Sequence, residues 1–96
     1  MAAYVIVDIE VTDPVGYEEY RKLAASAVAA FGGQFLVRGG VTTTLEGNWR
    51  PKRVVLLEFP DVQRAQAWWA SEEYSAARAI RQRTASTNMV VAEGIA

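Results

Sequence analysis

Arg53 to Phe59 reads RVVLLEF, and Tyr4 to Val11 reads YVIVDIEV. Both stretches are rich in β-branched and large apolar residues and are predicted to be strands. In the second, Val5, Val7 and Ile9 alternate with Tyr4, Ile6 and Asp8. In the first, Val55, Leu57 and Phe59 alternate with Val54, Leu56 and Glu58. A sheet with one face in water alternates apolar with polar. Here both faces are largely apolar, so each strand needs a covering layer on both sides.

The first such layer is helical. Asp13-Pro14 combines an N-cap acceptor with the residue suited to the first helical position. The stripe that follows is Tyr20, Leu23, Ala24, Ala27, Val28 and Phe31, at the i, i+3, i+4 spacing of a one-sided helix. Gly32-Gly33 ends it. Gln34 to Arg38 (QFLVR) reads as the next strand, bent at Gly39-Gly40 and continued over Thr42 to Glu46. Gly47 to Pro51 has turn chemistry and returns the chain into Arg53 to Phe59. A second helix begins at Pro60-Asp61 with the stripe Val62, Ala65, Trp68 and Trp69. It is expected to break at Ser71-Glu72-Glu73, an N-cap followed by acids, and to restart with Tyr74, Ala77, Ile80 and Arg81. Asn88 to Glu93 is the last strand.

The order β-α-β-β-α-β predicts one ferredoxin-like α+β domain over residues 1–96: a four-stranded antiparallel sheet, the first and third strands central, with both helices on one face. Helices cover only that face. An exposed apolar patch of several hundred Å² is unusual on a soluble monomer, so the open face is expected to pack on a second copy, sheet to sheet, about a two-fold axis.

Composition closes many functional classes. The 96 residues contain no histidine and no cysteine, which removes Ser–His–Asp and Cys–His catalysis, zinc fingers, disulfides and histidine-ligated haem. No metal and no cofactor is expected. The net charge of −1 argues against nucleic acid, which needs a basic footprint. RNA-recognition sheets place aromatics on these strands, where this one has Val54, Leu56 and Glu58. Asp8 and Glu10 interrupt the apolar N-terminus and no basic leader precedes it. No window is long and apolar enough for a membrane span. A cytoplasmic location follows as the expectation.

Candidate chemistry is sought where polar residues interrupt the open face. Asp8 and Glu58 are expected at the same ends of neighbouring parallel strands, with Arg38 reaching them. That group would orient a small ligand or move a proton, with Glu58 or Asp8 as base and Arg38 stabilising negative charge. The structural alternative is an Arg38–Glu58 ion pair fixing register or the dimer seam. Trp49, in a turn beside Glu46, Arg50 and Arg53, is either a lid over a pocket or a staple to the partner. Tyr74 with Arg78 and Arg81 forms a helix face suited to a carboxylate or phosphate, or a solvated one. Trp68 reads as core. The double glycines form no nucleotide-binding pattern.

Phe31 to Gly40 (FGGQFLVRGG), Leu45 to Val55 (LEGNWRPKRVV), Glu58-Phe59-Pro60 and Trp68 to Tyr74 (WWASEEY), with Arg81 behind, form four ordered motifs. On these the sequence resembles the bacterial family called domain of unknown function 1330, in the dimeric α/β-barrel group of ferredoxin-like proteins. Phe31 stands where that family usually has tyrosine, and Glu72 where it has proline. The resemblance implies the fold and the homodimer, and marks Arg38, Glu46, Arg53, Glu58, Ser71, Tyr74 and Arg81. Relatives in the wider group include cofactor-free monooxygenases and lactone isomerases. The expectation is thus a small-molecule pocket on the open sheet face, serving either a cofactor-free monooxygenase- or isomerase-like enzyme or a non-catalytic metabolite-binding or structural dimer module.

Overall fold

Three N-caps place the helices where local chemistry demands. A computed structural model describes residues Met1 to Ala96. Asp13 Oδ1 accepts from the Gly16 amide at 3.2 Å and opens α1 (Pro14–Ala30), with Pro14 in the first turn. Asp61 Oδ1 accepts from the Arg64 amide at 2.7 Å and opens α2 (Val62–Ala70). Ser71 ends α2 and starts α3 (Glu72–Thr84): its Oγ accepts from the Tyr74 amide at 3.1 Å and donates to the Trp68 carbonyl at 2.7 Å. The break expected at Ser71 is present, so the second helical stretch is two helices. At the end of α1, Gly32 takes φ +76°. The Gly33 and Gly32 amides donate to the carbonyls of Val28 and Ala29, both at 3.0 Å, closing the paired-bond motif that favours glycine there.

The strands are β1 (Ala3–Val11), β2 (Gln34–Arg38), β3 (Val54–Phe59) and β4 (Ala85–Glu93), in the order β2-β3-β1-β4. All three pairings are antiparallel. Helices α1, α2 and α3 lie on one face over a core of Val5, Val7 and Ile9 from β1, Val55, Leu57 and Phe59 from β3, and Tyr17, Val28, Trp68 and Tyr74 from the helices. The molecule measures 33 × 31 × 16 Å, one sheet and one helical layer, and the other sheet face is bare.

Four sequence expectations are corrected. First, β1 and β3 are antiparallel, with Tyr4 opposite Glu58 and Asp8 opposite Val54. Asp8 and Glu58 therefore stand four residues apart along the sheet, about 13 Å at strand rise. A hairpin reverses β3 against β2, and the α1 crossover makes β2 parallel to β1. The strand between them must oppose both. Second, residues 42–46 form no strand. Irregular backbone runs from Gly39 to Arg53, held where Thr44 Oγ1 donates to the Trp49 carbonyl at 2.8 Å. The threonines there have strand propensity but no neighbouring edge to pair with. Third, β4 starts at Ala85 rather than Asn88, because pairing with β1 extends to Val11↔Ala85. Fourth, the β2–β3 register shifts between Phe35 and Val37, so Arg38 lies opposite Val55. Directly opposed residues share a face, and this bulge carries Arg38 to the helical side.

Candidate functional site

A cleft of about 410 Å³ lies on the helical side of the sheet, between β4 and the α2–α3 pair. Trp68 and Trp69 from α2 line it, with Arg81 from α3 and Thr87, Met89 and Val91 from β4. Alternation along β4 aims Thr87, Met89 and Val91 at the helices, since they oppose Ile9, Val7 and Val5 of the core-facing row. This cleft lies on the opposite side of the sheet from the open face, where the sequence reading expects a pocket. A ligand-sized space forms where helices arch over strands, whereas the bare face of one chain has no second wall.

A much smaller space, about 20 Å³, lies further along the same layer, with room for about one water. Its polar lining is Tyr17, Tyr20 and Arg21 of α1, with Arg38 and Arg53 from the β2–β3 side. Trp68 and Met89 line both spaces, so the two abut across these side chains. No aspartate or glutamate lines either one.

Phenols and guanidinium groups link the two spaces. Tyr20 and Tyr74 hydroxyls are bonded at 2.8 Å, and Arg81 Nε donates to the Tyr74 hydroxyl at 3.2 Å. Tyr74 also stacks on Trp68, ring centroids 4.4 Å apart. Burial, reinforced by Tyr74, pushes the Tyr20 phenol well above its ordinary range. Burial raises Tyr17 as well, against the lowering influence of Arg53. Trp68 and Thr87, which line the cleft, carry buried polar atoms without a hydrogen-bond partner, Nε1 and Oγ1, as does Arg53, which lines the smaller space, at Nε.

The residues singled out from sequence fall into separate groups. Asp8 Oδ2 accepts from Trp49 Nε1 at 2.8 Å, so Trp49 fastens the long loop to the open face. Glu58, at the far end of that face, accepts from Gln34 Nε2 at 2.7 Å. Hydrogen bonding to Glu58, and then its charge, pushes the neighbouring Tyr4 phenol up. Arg38 meets neither carboxylate: its guanidinium lies 4.2 Å over the Phe35 ring, and Nη2 donates to the Arg21 carbonyl at 3.4 Å. The Arg38–Glu58 ion pair is absent, and the chain's one ion pair is Arg21–Glu18. Arg53 crosses directly over Gly39, where φ is +76° and any Cβ would overlap the guanidinium. Glu46 is exposed in the loop, and Ser71 is the cap described above. Three contacts join residues of the set: Trp49 with Asp8, Ser71 with the Tyr74 amide, and Arg81 with the Tyr74 hydroxyl; of these residues only Arg81 lines the larger cleft, and Tyr74 lines neither space. Sequence reading missed Thr87, Met89 and the part Trp68 plays at the cleft wall. The period-2 row Ala85, Thr87, Met89, Val91 was the available signal, obscured by starting the strand at Asn88.

The residues contain no cluster of three carboxylates able to hold a metal ion, and no helix is long and apolar enough to cross a membrane.

This sheet and its helical layer define a ferredoxin-like α+β protein with a cleft beside β4. The chain belongs to the family described as domain of unknown function (DUF1330), which matches residues 2–95. Among solved structures, it is similar to a protein of unknown function from Rhodopseudomonas palustris (TM-score 0.78, 15% identity, 99% of this chain and 83% of that one). A dimeric ferredoxin-like protein of unknown function from Jannaschia is similar as well (TM-score 0.72, 13% identity, 98% and 100% covered). So is SnoaB, a cofactor-independent oxygenase from Streptomyces nogalater (TM-score 0.62, 11% identity, 99% and 94% covered). At these identities the likeness is one of fold. No curated protein matches the chain.

Proposed function

We propose that this protein is a homodimer that binds a small molecule in the helix-side cleft and acts on it without a bound cofactor, as an oxygenase or isomerase. The observation that carries the reading is the cleft itself. Its volume of about 410 Å³ lies within the range of small-molecule sites, and a mainly apolar wall with a few convergent polar groups is the usual make-up of such sites. SnoaB, of the same fold, is a cofactor-independent oxygenase, and a putative antibiotic biosynthesis monooxygenase from Caulobacter crescentus also shares the fold, at TM-score 0.61 and 16% identity. Both support the reaction type. Proton-shift isomerisation and oxygenation of an enolic substrate run on the substrate's own electrons. They ask the protein for orientation and exclusion of water.

The dimer rests on the bare sheet face. Ile6 and Leu56 oppose each other at its centre, while Leu36 and Val90 are 47% and 60% exposed on the edge strands. The Jannaschia protein and one from Bacteroides fragilis, alike in fold, are dimeric. Asp8 and Glu58 then belong to the seam, each already hydrogen-bonded, rather than to the chemistry.

A second reading, a binding module without catalysis, draws on one observation: no carboxylate lines the cleft to serve as base. Native mass spectrometry of gently purified protein tests the site, with Met89→Trp as the cleft-filling variant. A dimer carrying extra small-molecule mass, lost in Met89→Trp, is the expected result. A monomer would end the dimer reading, and bound mass unaffected by Met89→Trp would move the ligand out of this cleft. Oxygen uptake or isomerisation of the identified molecule then separates enzyme from binder.

A further inference from the structure

Arg81 is the one charged side chain that the fold buries, at 5% exposed. Taking a guanidinium out of water is costly unless an opposite charge stands beside it. None does, because the single ion pair lies on the outer surface of α1 between Arg21 and Glu18. The one hydrogen bond of Arg81 runs from Nε to the Tyr74 hydroxyl, whose own neighbour is the Tyr20 hydroxyl. Burial pushes the Tyr20 phenol up and so holds its proton, and no carboxylate joins this chain of hydroxyls to balance the charge. Both Nη groups remain unengaged by the protein, and they form the planar fork that matches a carboxylate.

Two more polar atoms of the same wall are stranded. Trp68 is 2% exposed with an unpartnered Nε1, and the buried Thr87 Oγ1 also lacks a partner. Native folds satisfy the great majority of buried polar atoms. An uncompensated cation and two orphaned groups around one cavity is therefore the pattern of a site whose missing partner is the ligand. The remaining wall is mainly apolar, with Val5, Met89 and Val91 among it; its other polar members are the uncharged Gln66 and Gln82, and it carries no acid.

We propose that the ligand of this cleft is an oxyanion on an apolar body: a carboxylate, or the deprotonated oxygen of an enol or phenol. Its charged oxygen sits on the Arg81 fork. Trp68 Nε1, a donor only, and Thr87 Oγ1 complete the polar end, while the body lies against Met89 and Val91. Tyr74 is a positioning residue here, since its hydroxyl holds Nε and turns the fork toward the cleft. This assignment rests on the cleft's being the ligand site.

Titration calorimetry with 2-naphthoate and the shape-matched, uncharged 2-naphthamide tests it. Wild-type protein is expected to favour naphthoate by tenfold or more, about the effect of one charge-assisted bond. Arg81→Gln should bring the ratio close to one. Arg81→Lys, which retains charge without the fork, should keep part of it, and circular dichroism verifies that each variant is folded. Equal affinities in the wild type, or an undiminished ratio in folded Arg81→Gln, would overturn the anion assignment. If both probes bind equally and Met89→Trp abolishes both, the cleft stands as a ligand site and only the charge assignment fails. Binding untouched by Met89→Trp, or no binding of either probe at millimolar concentration, overturns both.

Discussion

Replacing Tyr74 with phenylalanine removes one oxygen atom from a residue that is 0% exposed and leaves its stacking on Trp68 in place. That oxygen is shared, accepting from Arg81 Nε at 3.2 Å and bonding the Tyr20 hydroxyl at 2.8 Å. Losing the bond to a charged donor costs about 1.5–3 kcal/mol, and a neutral hydroxyl pair contributes about 1 kcal/mol. Tyr20→Phe breaks only the neutral pair and should cost about 1 kcal/mol, so Tyr74→Phe should cost about 2.5–4 kcal/mol. The double variant should cost little more than Tyr74→Phe alone, because the bond between the two hydroxyls can be lost only once. A double-mutant cycle then shows a coupling of about 1 kcal/mol. Urea denaturation followed by tryptophan fluorescence measures all four proteins, at one fixed protein concentration so that dimer association contributes equally. A Tyr74→Phe loss below about 0.5 kcal/mol, or single-variant effects that simply add, would refute the shared network and with it the orientation of Arg81.

Alkaline pH supplies a second test. Tyr17 and Tyr20 are both raised above 10.0 in the fold, so the native state keeps protons that the unfolded chain releases. Their contribution is fully present below pH of about 10 and is lost as pH climbs beyond it. The urea midpoint should fall between pH 9 and pH 11, and Tyr20→Phe should lessen the fall; an unchanged slope in that variant would remove Tyr20 as a cause. Ser71→Ala deletes the acceptor for the Tyr74 amide and should cost about 1 kcal/mol in the same unfolding assay. Gly39→Ala places a side chain at φ +76° against the Arg53 guanidinium; about 1–2 kcal/mol of backbone strain should appear as a lower melting temperature, and no change would mean the turn adapts freely. Trp49→Phe removes the bond to Asp8 and should speed amide hydrogen exchange in residues 44–49, with the core strands unaffected.

Local chemistry determined a good deal of this protein. Asp13-Pro14, Asp61 and Ser71 are caps that act within four residues of themselves, so the starts of α1, α2 and α3 are legible from the chain alone. The two-faced apolar character of β1 and β3 is equally local, and with right-handed crossover it leads to the sheet order and to one uncovered face. Absence of histidine and cysteine is absolute and needs no structure. The site is another matter. Whether Asp8 meets Glu58 depends on the relative direction of β1 and β3, which connects residues fifty apart. A bulge centred on Leu36 turned Arg38 away from the face that simple alternation assigns it, and a bulge is a compromise between two strands. Residues 42–46 have the propensity for a strand but found no partner edge, whereas Ala85–Thr87 became a strand because β1 offered one. Arg81 carries the same sequence signature as its solvated neighbours Arg78 and Arg83. Only packing of α3 against β4 buries it with Trp68 and Thr87, because desolvation is a property of all the atoms that surround a group and not of the residues beside it in the chain.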